Sequence, residues 1–398
     1  MVIRYISASD RINYGDLLFP IIFKQYFSQS HKIQFYGLIH SDYSNFGALS
    51  TRSYKELVKD INKSEDIIVV GGGEVFFGDW RNLYSYIYPL YSRILNTRIV
   101  NRLENKLNLY RLFFYRTRNE YPFLPNLGCD TVYIGSGGVF TNYQSIKEKK
   151  YIRSILKKSP FLSVRDNRTY NSLKENGVEA ELIPDSAVLI NKVFNKDLIK
   201  DKIINKSIFK FRNSDYIYLQ VGRFKAPKDL HKFVDDINFF ASKNNLKVVC
   251  CPIGYAPGHE DHIVLRRLCD IDPSWEYISA NNIYEIMYLI SKCRIYMGTS
   301  LHGLITAFSF LKPALALNKT LKKTSAFVET WCSEFYEQNI DYHEIKDKAD
   351  SAFKKWDKIK AANQLEFCQN KVESYFKRID EYIDSKNIKQ ESNKNLLK

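Results

Sequence analysis

Ser300-Leu301-His302-Gly303 places a titratable ring where a helix begins. Residues 294–297 (Arg294-Ile295-Tyr296-Met297) read as a buried strand, and Gly298-Thr299-Ser300 break it. Helical spacing follows over residues 302–311, with Pro313 beyond its end. At such a start the backbone N–H groups lack partners and the positive end of the helix dipole points outward. That field disfavours imidazolium and attracts anions, so a phosphorylated or carboxylated ligand would meet His302 there. The competing expectation is a histidine that only caps or packs the helix.

Other strand ends carry similar chemistry. In Asn13-Tyr14-Gly15-Asp16, Gly15 permits close backbone approach, and Asp16 serves either as a helix cap or as a catalytic carboxylate. Gly71-Gly72-Gly73 follow the apolar run at 66–70; they predict either a backbone nest for an anion or sugar, or a turn that needs tight packing. The spacing does not satisfy the dinucleotide fingerprint GxGxxG. Gly135-Ser136-Gly137-Gly138 repeats the pattern one strand on. Ser163-Val164-Arg165-Asp166 and Pro184-Asp185 place charge where the chain leaves the sheet, with a surface ion pair or a cap at Asp166 as the alternative. Arg223, after a further strand, is suited to a bidentate grip on carboxylate or phosphate.

These positions require elements that hold them on one edge. Strand and helix patterns alternate: strands at 2–9, 32–39, 66–70, 131–134, 161–164 and 181–183, with helices at 16–27, 54–62, 144–156 and 167–175. The order predicts a parallel, doubly wound sheet. A second set has strands at 216–221, 247–251, 276–278, 294–297 and 314–317, with helices at 230–242, 260–269 and 283–291. The expected organisation is an N-terminal Rossmann-like domain (1–190) with a helical insertion at about 80–127, a linker at 191–214, and a C-terminal Rossmann-like domain (215–346). An amphipathic helical region (347–385) and a disordered polar tail (386–398) complete it. Two such α/β domains face each other across a cleft at the C-terminal ends of their strands, where ligands of these sheets bind.

Composition narrows the function classes. The 398 residues are 45% hydrophobic and 26% charged, enough for two real cores. No apolar run approaches the roughly 18–20 residues that cross a bilayer, and the start lacks the features of a signal peptide. Seven scattered cysteines without CxxC pairs suit a reducing compartment, and no His/Cys cluster has metal-ligand spacing. The expectation is a soluble, cytoplasmic chain without a metal centre. A net charge of +15 raises nucleic acid as a partner. No nucleic-acid-binding signature accompanies the dispersed lysines, so an anionic substrate or anionic membrane leaflet fits better. Residues 80–127 interleave Arg81, Arg93, Arg98, Arg102, Arg111, Arg116 and Arg118 with aromatics, a pattern for a membrane surface or for a helical hairpin packed on protein.

Taken in order, Asn13-x-Gly15-Asp16, Gly71-Gly72-Gly73, Ser163-x-Arg165-Asp166, Pro184-Asp185 and Leu301-His302-Gly303 resemble the polysaccharide pyruvyl transferase family over residues 5–320. Residues 252–261, with His259 and Asp261, are also similar to it. The resemblance implies a glycosyltransferase-B-like pair of domains. It further implies transfer of pyruvate from phosphoenolpyruvate to two sugar hydroxyls, forming a cyclic ketal in cell-surface polysaccharide biosynthesis without a tightly bound cofactor. His302 and Asp16 then become the proton-transfer groups. Asn13, Gly15, Gly71, Gly72, Gly73, Arg165, Asp166, Asp185, Arg223, Ser300 and Leu301 become the substrate-binding set. Acceptors in that family are often lipid-linked, which would suit a role at the inner face of the cell membrane. Many members carry arginine where this chain has Ser300; if that arginine holds the donor in those relatives, Arg223 or Arg165 is the substitute here. A nucleotide-sugar glycosyltransferase of the same fold and a noncatalytic saccharide-binding protein are the other readings.

Overall fold

The computed structural model describes residues 1–63, 65–88, 121–141 and 145–396. The first sheet is entirely parallel, in the order β2-β1-β3-β4-β5-β6. Its strands are β1 (Ile3–Ile6), β2 (Ile33–Tyr36), β3 (Ile67–Gly71), β4 (Thr131–Ser136), β5 (Leu162–Val164) and β6 (Glu181–Leu182). Ile3 faces Ile33 on one side and Ile67 on the other, which fixes the register. Every residue of β3 is buried, as a central parallel strand covered on both faces must be. The crossovers are α1 (Tyr14–Phe27), α2 (Tyr54–Asp60), α3 (Trp80–Ser85), α4 (Ile146–Leu156) and α5 (Asn167–Glu175). Capping boxes at Ser53 and Ser145 set the starts of α2 and α4.

The expected linker is ordered. It contains α6 (Ile190–Val193), α7 (Lys196–Asp201) and a 3₁₀ turn (Lys206–Asn213), with Asn195 and Asn205 as side-chain caps. Its Ile199, Ile203, Ile208 and Phe211 are buried, which holds the polar stretch in place. The second sheet is also parallel, ordered β11-β10-β7-β8-β9. It comprises β7 (Tyr216–Gln220), β8 (Lys247–Cys250), β9 (Glu276–Tyr277), β10 (Ile295–Gly298) and β11 (Ala314–Ala316). Around it run α8 (Leu230–Lys243), α9 (Asp261–Ile271), α10 (Ile283–Lys292), α11 (Leu301–Ser309) and α12 (Lys322–Phe327).

The C-terminal region divides into α13 (Ile345–Lys355) and α14 (Lys358–Leu396). Ala361, Leu365, Cys368, Val372, Tyr375, Phe376, Ile379 and Ile383 form a buried stripe along α14. This stripe returns the chain to the first domain. The Tyr375 hydroxyl donates to the Tyr133 carbonyl at 3.1 Å, Tyr26 to Glu373 at 2.8 Å and Arg378 to Glu181 at 2.6 Å. The tail expected to be disordered instead continues this helix to Leu396. Once a helix is anchored, each further residue adds a hydrogen bond without a new nucleation cost, and Lys386 pairs with Asp130.

The domains share one continuous core from Ile3 through Ile286 to Ile383. The Tyr14 and Thr306 hydroxyls meet at 2.9 Å, and Tyr14 N donates to the Ile253 carbonyl at 3.1 Å. Trp331 Nε1 donates to the Arg165 carbonyl at 2.8 Å. No helix among the described residues is long and apolar enough to cross a membrane. All seven cysteines are free thiols. Arg93, Arg98, Arg102, Arg111, Arg116 and Arg118 of the arginine–aromatic segment lie outside the described residues.

Candidate active site

A cavity of about 860 Å³ opens between the C-terminal ends of the two sheets. Both halves place their strand-end loops there, as parallel α/β topology requires. The loops after β1, β3, β4 and β5 contribute Asn13 and Asp16, Gly73 and Glu74, Gly138, and Arg165 and Arg168. From the second domain come Gln220 and Lys225, His259 and Asp261, and Ser300, Leu301 and His302, with Lys323 beyond β11.

At the start of α11 the Ser300 hydroxyl accepts from Gly303 N at 3.4 Å, so Ser300 is the cap and the His302 ring is not. His302 Nε2 stands 3.7 Å from Asp185 Oδ2, an ion-pair distance longer than a hydrogen bond. The ring meets Phe19 edge-on at 5.2 Å. Gly15 lies against its other side, where a Cβ would come within 1.8 Å of His302 Nδ1. Any larger residue at position 15 would displace the imidazole.

Asp185 is fully buried at the end of β6. It accepts from Arg165 Nη1 at 3.1 Å and from Ala187 N at 3.0 Å. Burial works against its charge, but His302, Arg165 and the Ala187 amide outweigh it and hold the carboxyl below its usual range. Arg165, His302 and Asp185 therefore form a connected, nearly dry cluster in one wall. Arg165 also pairs with Glu74 at 3.5 Å and Asp166 at 3.8 Å, and its Nε has no hydrogen-bond partner among the described residues. Asp166 caps α5 by accepting from Thr169 N at 2.7 Å. Glu74 is held at about 2: burial opposes its charge, and Lys323, Arg165 and Arg168 overcome that opposition.

Asp16 takes the Asn13 side-chain amide at 2.7 Å, and its carboxylate does not cap α1. Of the three glycines only Gly73, with φ +84°, lines the cavity. Gly71 lies under the Tyr5 hydroxyl and Gly72 under the Phe19 ring, at separations that exclude a Cβ. That is the close-packing role weighed against an anion nest. Arg223 stands outside the cavity lining among the described residues, pairing with Glu260 at 3.1 Å and lying over the Phe224 ring.

The second-domain wall is equally ionic. Asp261 Oδ2 accepts from Gln220 Nε2 at 2.7 Å, Gly254 N at 2.9 Å and Ile253 N at 3.1 Å. Burial nonetheless raises its carboxyl to about 6. His259 is lowered to about 4, chiefly by burial and then by Lys225. Sequence reading assigned no role to Arg11, Glu74, Lys225, His259, Asp261 or Lys323. The rule that found Asp16 and Arg165, polar residues just past a strand's C-terminal end, also applies to Arg11, Glu74, Lys225 and Lys323.

A family model described as polysaccharide pyruvyl transferase matches residues 13–319. No curated protein sequence matches the chain. Among solved structures it resembles the UDP-GlcNAc 2-epimerase of Methanocaldococcus jannaschii in complex with UDP-GlcNAc and UDP, at 12% identity and TM-score 0.53, covering 89% of this chain and 93% of that one. The Neisseria meningitidis UDP-GlcNAc 2-epimerase bound to UDP-GlcNAc gives 12% and 0.54, covering 94% and 99%. A glycosyltransferase from Rickettsia africae gives 12% and 0.52, covering 97% and 98%. At these identities the likeness establishes the fold: two Rossmann-like domains in the glycosyltransferase-B arrangement.

Proposed function

Since this chain belongs to the polysaccharide pyruvyl transferase family, we propose that it transfers pyruvate from phosphoenolpyruvate to two hydroxyls of a saccharide. A proton adds to the donor's methylene carbon, giving the methyl group, while cationic character develops at the central carbon. One sugar hydroxyl adds to that carbon and the C–O bond to phosphate breaks. The second hydroxyl then closes the ketal. The two hydroxyl protons balance the methyl proton and the proton carried by released phosphate.

The observation that carries this reading is the Arg165–Asp185–His302 cluster in the wall of the cavity. Asp185, 3.7 Å from Nε2, stands behind the ring on the side away from Gly15, and the imidazole is the group that passes a proton to carbon. Arg165 and Lys323 supply cations for the donor's carboxylate and phosphate. Lys323 reaches this wall through Glu74 at 3.2 Å. Asp16, in the first turn of α1 at the same cavity, accepts a sugar hydroxyl proton. No step requires a tightly bound cofactor.

The test is incubation of purified protein with phosphoenolpyruvate and cell-envelope saccharides, following phosphate release and the new ketal methyl group by NMR. Phosphate released in step with the methyl signal supports the reading. Release of a nucleoside diphosphate from a nucleotide sugar would instead establish a glycosyltransferase.

A further inference from the structure

Arg11 has no place in the donor chemistry above. It lies in the loop between β1 and α1 and lines the same cavity. The residue is only 5% exposed, yet its Nε and Nη2 have no hydrogen-bond partner among the described residues. Nε forms an ion pair with Asp10 Oδ1 at 3.4 Å, beyond good hydrogen-bond length, and the guanidinium carbon lies 5.9 Å from the Tyr86 ring centre. Burying a cation with unmade donors is unfavourable unless something in the cavity completes them. The unmade Nε and Nη2 lie on one edge of the guanidinium, which suits two oxygens of a single anion.

The loop carrying Arg11 is held across the domain interface. Tyr255 N and Ala256 N both donate to the Ile12 carbonyl, at 3.0 and 3.1 Å. The second-domain segment fixed in this way brings Gly258 and His259 to the cavity. The Tyr86 ring covers Gly258 and lies 6.3 Å from the His259 ring, so it links the two sides. After burial, Lys225, Arg11 and Lys323 all disfavour charge on His259, while Asp16 opposes them. Three cations, Lys225, Arg11 and Lys323, thus surround one buried ring, a setting that suits an anion. The cavity, at about 860 Å³, has room for a sugar beside a three-carbon donor.

We propose that Arg11, with His259 across the cavity, forms a second anion subsite for the phosphate or diphosphate of a phosphorylated saccharide acceptor. The assignment of that anion to the acceptor rests on the pyruvyl-transfer reading above; the presence of a second subsite does not.

Inorganic diphosphate and phosphoenolpyruvate serve as probes with the full chain, by calorimetric titration of each alone and in the presence of the other. Both should bind together. Arg11→Gln should weaken diphosphate at least tenfold and phosphoenolpyruvate less than twofold, while Arg165→Lys should do the reverse. Arg11→Lys keeps the charge but loses the fork, so it reports on the subsite even where the glutamine variant fails to fold. Full competition between the probes, or equal loss of both in either Arg11 variant, would overturn the proposal. Failure of phosphoenolpyruvate to bind refutes the donor reading but leaves the diphosphate result standing. Displacement of diphosphate by uridine diphosphate supports a nucleotide-linked acceptor, and displacement by a short prenyl diphosphate supports a lipid-linked one. Displacement by neither overturns the acceptor assignment.

Discussion

At His302 two neighbours constrain one ring, with Asp185 behind Nε2 and Gly15 against Nδ1. His302→Ala should lower turnover by roughly 10²-fold or more while leaving the thermal unfolding curve in place. Gly15→Ala should reproduce much of that loss, because the added Cβ occupies the ring's position. Steady-state rates and melting curves on the two variants check both, and near-normal turnover in His302→Ala would exclude the proton-transfer role. The pair across the cavity has a pH signature. His259 falls from 6.5 to about 4 on folding, so the unfolded chain takes up a proton first and stability is lost as pH drops across that window. Asp261 rises from 3.8 to about 6, so the folded chain is protonated first and stability is gained over the same descent. Each effect is on the order of 3 kcal/mol, and they largely cancel in the natural chain. His259→Asn should therefore gain melting temperature between about pH 7 and pH 4.5 relative to the parent, and Asp261→Asn should lose it. Parallel profiles for the two variants would contradict these assignments.

At the scale of elements, α14 closes the first domain although it follows the second in sequence. Phe376 is 3% exposed on its buried stripe, whereas Phe367 is 49% exposed on the same helix. Phe376→Ala should cost about 3–5 kcal/mol. Phe367→Ala should stay within about 0.5 kcal/mol of the parent. Denaturant titration of both variants measures this, and equal effects would mean that the stripe is not the docking face. The alternating pattern located nearly every strand and helix to within a few residues, because a parallel sheet buried on both faces leaves an unbroken apolar run. The order within the linker and the helix in the tail are not legible in the sequence, for a physical reason. Lys, Asn and Ser dominate both, and composition does not reveal that four apolar residues, Ile199, Ile203, Ile208 and Phe211, find a core, or that a helix runs on from an anchored stripe.

For the whole molecule, a net charge of +15 and an ionic cleft should speed the arrival of an anionic donor. kcat/KM for phosphoenolpyruvate should fall as ionic strength rises from about 0.01 to 0.15 M, where the screening length shrinks from about 30 to 8 Å. The turnover number at saturation should change little, since the Arg165–Asp185–His302 cluster is shielded from solvent. A salt-independent kcat/KM would mean that the surplus lysines are plain solvated surface.

The sequence by itself determined the two parallel sheets, the edge on which the strand-end motifs collect and the family, because apolar periodicity, strand-end glycines and ordered motifs are local properties of the chain. Only the tertiary structure decided which strand-end residues meet. It joined Arg165, Asp185 and His302 across both domains, left Arg223 outside the cavity lining on Glu260, and brought Arg11 and His259 to one cavity. It also set Gly71 against the Tyr5 hydroxyl and Gly72 against the Phe19 ring, where no Cβ fits. Such pairings depend on distances between segments far apart in sequence, and those distances are set by how two separately patterned domains dock on a shared core.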